Sequence, residues 1–294
     1  MTEFKGVIPP VVTAFDSDRN LDLNRTAEFI RWQIGEGVHG IFVAGSTGEY
    51  TLLSDSELKD LIKAGVEAVG GDVPCLAGTG FHSTRKSIEM SQYAEKVGAD
   101  GVTLAVPHYP LPTQEGLYQH YKMVAENVSI PILAYAWPGQ HSGVNLDPET
   151  VVRLADEGII AGMKDATKDI VHTTELIRLT KGKIAILEGF ASQLLQTLVV
   201  GAAGAICTVA NLIPAEVVSI YENFQKGNLE EAKEMQLKII PLIEASGAHP
   251  YGTKEALKLM GKGVGPSPMP IIDDDLSEAV RANIKKELQK LGKL

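Results

Sequence analysis

The stretch GVTLAVPHYPLPTQEGLYQHYKMVAENVSIPILAYAW, residues 101–137, carries the pattern that decides the fold. An apolar run (Gly101–Tyr109) gives way to a segment of helical periodicity, and a second apolar run (Pro131–Trp137) follows. Short continuous apolar runs bounded by turn residues read as buried strands, and the longer segment between them reads as a covering helix. Working outward, the same couple recurs with strands at Val7–Phe15, Gly40–Ser46 and Val73–Gly80 before it, and at Ile159–Asp165, Ile184–Gly189 and Gly204–Asn211 after it. Continuous apolar strands alternating with helices imply a parallel sheet covered on its outer face. Eight such units predict an α/β chain folded as a closed (β/α)₈ TIM barrel.

Helix signals support the reading. Ser54 and Glu57 form a capping box, Asp147 precedes Pro148 as an N-cap, and Lys96-Val97-Gly98 places a base and a glycine at a helix end. After Asn211 helix follows helix without another strand. The expected organisation is therefore a barrel over 1–227 and a C-terminal helical appendage over 228–294, with GPSPMP (Gly265–Pro270) as a rigid connector inside it.

Composition narrows the function classes. The 294 residues carry 27 basic and 37 acidic side chains, a net charge of −10, which disfavours a nucleic-acid partner because phosphate rewards a basic face. Two cysteines, Cys75 and Cys207, sit in apolar runs and read as free core thiols. Neither a secretory signal nor an apolar run of about 18 residues is present, so no membrane association and a cytoplasmic location are expected.

In a barrel of this type, chemistry belongs to the loops after the strands. Lys164 closes the run IIAGMK, where burial disfavours the charged ammonium. It is either ion-paired to Asp165 or Glu188, or a neutral amine able to form a Schiff base with a ketone. Tyr109 and Tyr135 end strands and could relay protons. The turn Gly45-Ser46-Thr47-Gly48-Glu49 offers hydroxyls and amides suited to a carboxylate. His82, His108 and His141 follow strands, yet lack metal-ligand spacing, and no dinucleotide or Walker glycine pattern opens a helix. No metal and no cofactor are expected.

These motifs together resemble the dihydrodipicolinate synthase / N-acetylneuraminate lyase family of class I, Schiff-base aldolases. The resemblance runs through GVIPPVVTAF, GSTGEYTLLSDSE, LAGTG, GADGVTLAVPHY, TQEGLYQHY, YAWP, GMKDAT and GAAGAICTVANLIP, essentially the whole chain. It implies that Lys164 forms a Schiff base with pyruvate or another 2-oxo acid and that Tyr135 shuttles protons at the aldol oxygen. Ser46, Thr47 and Gly48 would hold the substrate carboxylate, with Thr47 joining the relay, while Gly189 and Ile206 line the pocket. Tyr109 matches a second relay tyrosine that reaches a neighbouring subunit, which implies a homotetramer built as a dimer of dimers.

One departure bears on the second substrate. Dihydrodipicolinate synthases carry an arginine after the YNVP-like segment, whereas this chain reads YAWPGQHSG, with Gln140 and His141 there, Ala136 for the usual asparagine, and a bulky Trp137. Neutral side chains do not replace a bidentate guanidinium. The expectation is thus reversible aldol cleavage of a 2-keto-3-deoxy sugar acid or related 4-hydroxy-2-oxo acid, with Gln140 and His141 on the substrate hydroxyls. Alternatives are condensation of pyruvate with aspartate semialdehyde, a dehydratase or deaminase of the same family, and a non-catalytic 2-oxo acid binding barrel.

Overall fold

The computed structural model describes residues 4–247, 250–272 and 276–294. Among these residues eight parallel strands form one sheet: β1 (Gly6–Val7), β2 (Ile41–Val43), β3 (Cys75–Gly78), β4 (Gly101–Ala105), β5 (Ile132–Ala136), β6 (Gly162–Asp165), β7 (Ala185–Glu188) and β8 (Gly204–Ala205), in the order β1-β8-β7-β6-β5-β4-β3-β2. β2 to β8 lie inside their expected runs, β1 begins one residue before its run and keeps only Val7 of it, and all eight are shorter than expected. In the first run, Pro9 and Pro10 lack the N–H that a ladder requires. The seam still closes, because His39 N donates to Val7 O (2.8 Å), Phe42 N to Pro9 O (3.0 Å) and Val11 N to Phe42 O (2.8 Å). At the opposite seam Gly204 (φ +152°) lies against Gly6, where a Cβ would stand 2.0 Å from the Gly6 carbonyl oxygen. The end of the last run, Thr208–Asn211, is a tight helical turn instead of strand.

Helices α1 (Leu23–Gly35), α2 (Asp55–Val69), α3 (Thr84–Val97), α4 (Gln114–Ala125), α5 (Pro148–Asp156), α6 (Ile170–Thr180), α7 (Leu194–Val200) and α8 (Pro214–Gln225) alternate with the strands. Ser54 caps α2 in a complete box with Glu57, and Gly98 ends α3 in the left-handed conformation. Asp147 stands at the N-cap of α5 with Pro148 in its first turn, although its side chain makes no cap hydrogen bond. The appendage comprises α9 (Leu229–Ser246), α10 (Pro250–Leu259) and α11 (Glu278–Lys290). Its Ala232, Ile239, Leu242, Leu257, Ile284 and Leu288 join the same hydrophobic core as the barrel helices.

A separate layer of Phe4, Ile8, Phe42, Leu76, Leu133, Leu187 and Ile206 fills the barrel interior. Above it, Ala105, Tyr135, Ala166 and Phe190 form a second layer against Trp137. The architecture is the expected TIM barrel with a C-terminal helical part. Cys75 and Cys207 are buried free thiols, pushed up to about 12 mainly by burial. Among the described residues no helix is long and apolar enough to cross a membrane.

Candidate active site

Strand register assembles the centre. Lys164 on β6 pairs with Tyr135 on β5 and Leu187 on β7, so these side chains share the interior face. The Lys164 ammonium consequently lies 4.1 Å from the centroid of the Tyr135 ring. Alternation sends the next residue, Asp165, to the other face, where its Oδ2 accepts from Thr173 Oγ1 (2.7 Å) and contacts His172 Nδ1 (3.1 Å), both on α6. Burial works to raise the Asp165 pKa, but hydrogen bonds from His172, Thr173 and Thr167 together hold it below its ordinary value. Glu188, in register with Asp165, accepts from Phe190 N through Oε1 (2.8 Å). Burial first, then the nearby Asp165 charge, push its carboxyl up to about 8.

Of the two possibilities open for Lys164, ion pairing is therefore not the one observed. Lys164 is 6% exposed and makes no ion pair among the described residues. Burial lowers its pKa to about 8, with weak opposition from Cys207 and Glu188. At pH 7 about a tenth of such amines are neutral, against roughly three in ten thousand for an unperturbed lysine. Tyr135 is buried, and loss of solvent raises its phenol pKa, partly offset by the Ser46 hydroxyl beside it.

The cradle follows β2 directly. Ser46–Gly48 form a single tight turn, and Thr13 Oγ1 donates to Gly48 O (2.7 Å). Gly48 packs so close to the segment after β1 that a Cβ would stand 2.9 Å from Val11 O. The Thr47 hydroxyl pairs with that of Thr208 at 3.1 Å. Asn211, another polar residue near a strand end, is structural: its Oδ1 accepts from Val12 N (3.1 Å) and its Nδ2 donates to Pro10 O (2.9 Å).

Two cavities open at the mouth. One, of about 270 Å³, is bounded by Ser46, Thr47, His108, Trp137, Gln140 and His141. The other, of about 450 Å³, is bounded by Gly189, Phe190, Thr208 and Lys168 among others. Ile206 lies below both, in the interior layer. A larger cavity of about 560 Å³, lined by Phe15, Arg19 and Lys258, includes none of the site residues read from the sequence. Tyr109, 75% exposed on the loop after β4, is not brought to Lys164 within this chain.

Three features were not anticipated. The rings of His82, His108 and His141 form a column with centroid spacings of 4.4 and 4.9 Å, ending 5.1 Å from Tyr135. Among the described residues no histidine, cysteine or acidic cluster suits a metal. Trp137 N donates to His141 Nδ1 (3.1 Å), which leaves the ring proton on Nε2. Burial, with His108, Lys164 and His82 adding, lowers His141 to about 3, so it is a neutral N–H donor. Phe190 meets Trp137 edge to face at 5.6 Å and carries the Lys168 ammonium over its ring at 4.4 Å. Only the aromatic residue types hinted at these contacts in the sequence.

Residues 3–287 match the dihydrodipicolinate synthetase family. The chain belongs to that family. It is 40% identical over 261 residues, covering 88% of this chain and 89% of the relative, to a protein of Thermodesulfovibrio yellowstonii named 4-hydroxy-tetrahydrodipicolinate synthase. The solved dihydrodipicolinate synthase of Thermotoga maritima matches with a TM-score of 0.95 and 34% identity over 100% of both chains. A prophage protein of the dihydrodipicolinic acid synthase family from E. coli K12, solved in complex with pyruvate, matches with a TM-score of 0.93 and 31% identity over 99% of both. As a member of this family the chain is a lyase of the class I aldolase type. The names of these relatives favour the synthase over the sugar-acid cleavage expected from YAWPGQHSG.

Proposed function

We propose that Lys164 forms a Schiff base with pyruvate or a similar 2-oxo acid, and that the enzyme makes a C–C bond to an aldehyde through the resulting enamine. The observation that carries this reading is the buried Lys164 amine, unpaired among the described residues and lowered to about 8. The neutral amine attacks C2 and water leaves. The iminium acidifies C3, whose proton passes into the Tyr135–Thr47 relay, and the enamine carbon adds to the aldehyde while Tyr135 returns a proton to its oxygen. Hydrolysis of the imine then frees Lys164, and the same steps reversed cleave the aldol.

Ser46, Thr47 and the amides through Gly48 hold the 2-oxo acid carboxylate, with the Thr47–Thr208 hydroxyl pair linking it to the relay. Tyr109 completes the relay from a neighbouring subunit of a homotetramer. Its 75% exposure beside Leu111, itself 67% exposed, supports a partner covering that loop.

The relatives' names support aspartate semialdehyde as the aldehyde, hence 4-hydroxy-tetrahydrodipicolinate synthase activity. A second reading, cleavage of a 2-keto-3-deoxy sugar acid, is favoured by one observation. No arginine lines either mouth cavity among the described residues, and neutral Gln140 and His141 stand at the rim instead. Borohydride reduction in the presence of pyruvate, followed by peptide mass spectrometry, tests the shared step; label anywhere but Lys164 refutes it. Rates with pyruvate plus aspartate semialdehyde, set beside pyruvate release from 2-keto-3-deoxy sugar acids, decide between the readings. A binding barrel without turnover would keep its ligand affinity as Lys164→Ala and show no turnover in either assay.

A further inference from the structure

Glu49, the residue that ends the cradle, is 3% exposed, and Lys254 on α10 is 4% exposed. Their side chains form an ion pair at 2.5 Å. The Lys254 ammonium also stands over the Phe15 ring, 4.7 Å from its centroid, and reaches Pro266 O at 3.4 Å. One buried cation thus touches the cradle, the loop after β1 and the extended segment of the appendage.

Glu49 is well placed to transmit a constraint. Its backbone is left-handed (φ +60°), its N–H donates to Ser46 O at 3.0 Å, and its carbonyl accepts from Leu52 N at 2.9 Å. A non-glycine residue keeps that conformation where its surroundings fix it. Pro250, one helical turn before Lys254 on α10, lines the same cavity as Ser46 and Thr47. Buried ion pairs gain little over apolar packing in stability, so what this one contributes is sought in the geometry it fixes.

We propose that Glu49 and Lys254 are positioning residues through which the C-terminal appendage sets the shape of the carboxylate cradle. For its substrate this inference rests on the proposed Schiff-base reading. The appendage is then part of the binding apparatus, and movement of α10 changes affinity for the 2-oxo acid without touching Lys164.

The test uses the full chain with the pair neutralised, Glu49→Gln/Lys254→Met, which avoids leaving one buried charge alone. Amide hydrogen exchange over Ser46–Tyr50 rises about tenfold while β3 to β6 stay protected. The pyruvate concentration giving half-maximal borohydride adduct rises about tenfold, and the maximal trapping rate changes by less than about threefold. The exchanged pair, Glu49→Lys/Lys254→Glu, restores both to within about threefold. Unchanged exchange at the cradle, or loosening spread evenly over the barrel, overturns the proposal. If the wild-type protein traps no pyruvate, the Schiff-base reading falls, and the exchange measurement alone decides whether the appendage positions the cradle.

Discussion

Replacing Lys164 by methionine is expected to make the protein more stable and catalytically dead. Burial moves the amine from 10.5 to about 8. At ~1.4 kcal/mol per tenfold, the folded state carries a cost of about 3 kcal/mol at pH 7 for keeping the ammonium charged. In the unfolded chain the amine holds its proton up to pH 10.5, whereas in the folded chain it releases it near pH 8. Between these values the unfolded state binds more protons, so wild-type stability rises with pH across that window. Below pH 8 both states are protonated and the cost is present in full. Glu188 titrates in the variant as well and largely cancels in the difference. Methionine fills similar volume without the charge, so Lys164→Met gains about 3 kcal/mol at pH 7, or ~5 °C in Tm at roughly 2 cal/mol/K per residue. The advantage shrinks toward zero by about pH 10.5. Urea unfolding of both proteins at pH 7 and pH 10, at one protein concentration, measures it. A variant less stable than wild type at pH 7, or a difference that does not change with pH, would show that the ammonium is paired in the folded protein.

Tyr135→Phe keeps the ring under Lys164 and removes the hydroxyl; kcat is expected to fall by about 10²–10⁴, with pyruvate still trapped on Lys164. Equal loss of trapping and turnover would place the phenol in imine formation. Tyr109→Ala should leave the fold of each chain intact, because within its own chain the side chain is exposed, yet lower activity by roughly 100-fold. Mixed and reassembled with Lys164→Ala, it should regain activity, and failure to do so would remove the cross-subunit relay. Gly189→Ala puts a methyl 2.5 Å from the Ala166 Cβ and should cost about 1–3 kcal/mol in urea unfolding. A neutral result would mean that β6 and β7 can part without penalty.

The barrel was legible because each strand is a short apolar run whose partners are decided by order along the chain. Strand lengths were less so. Pro9 and Pro10 break a ladder by lacking donors, yet the carbonyl of Pro9 still accepts from Phe42, so the seam survives where the strand reads as interrupted. Lys164 was legible as a buried lysine, but the choice between nucleophile and ion pair needed register. Alternation puts Asp165 outside, and Glu188 follows it there because the two are cross-strand partners. The Glu49–Lys254 pair was not legible, since Glu49 reads only as part of the turn after the second strand and nothing in the sequence points from it to a lysine some two hundred residues away.

In the proposed reaction the two halves of the substrate would meet different kinds of structure. The 2-oxo acid half would depend on Lys164 and Tyr135, which lie on strands, and on the turn after β2, which Thr13 ties to the segment following β1. Such positions inherit their geometry from the ladder and tolerate little change. The aldehyde half would face Gln140 and His141 after β5, Lys168 after β6 and Phe190 after β7. Those loops contribute a neutral imidazole N–H, an amide, an aromatic edge and one ammonium lying over a ring. An acceptor carboxylate needs a charge-assisted partner, and Lys168 is the only lysine or arginine among the described residues lining either cavity. If aspartate semialdehyde is the acceptor, Lys168 must therefore leave Phe190 to meet it, and Lys168→Met should raise its KM about tenfold while sparing pyruvate trapping. For a sugar-acid substrate, whose carboxylate already sits in the cradle, the same substitution should alter neither.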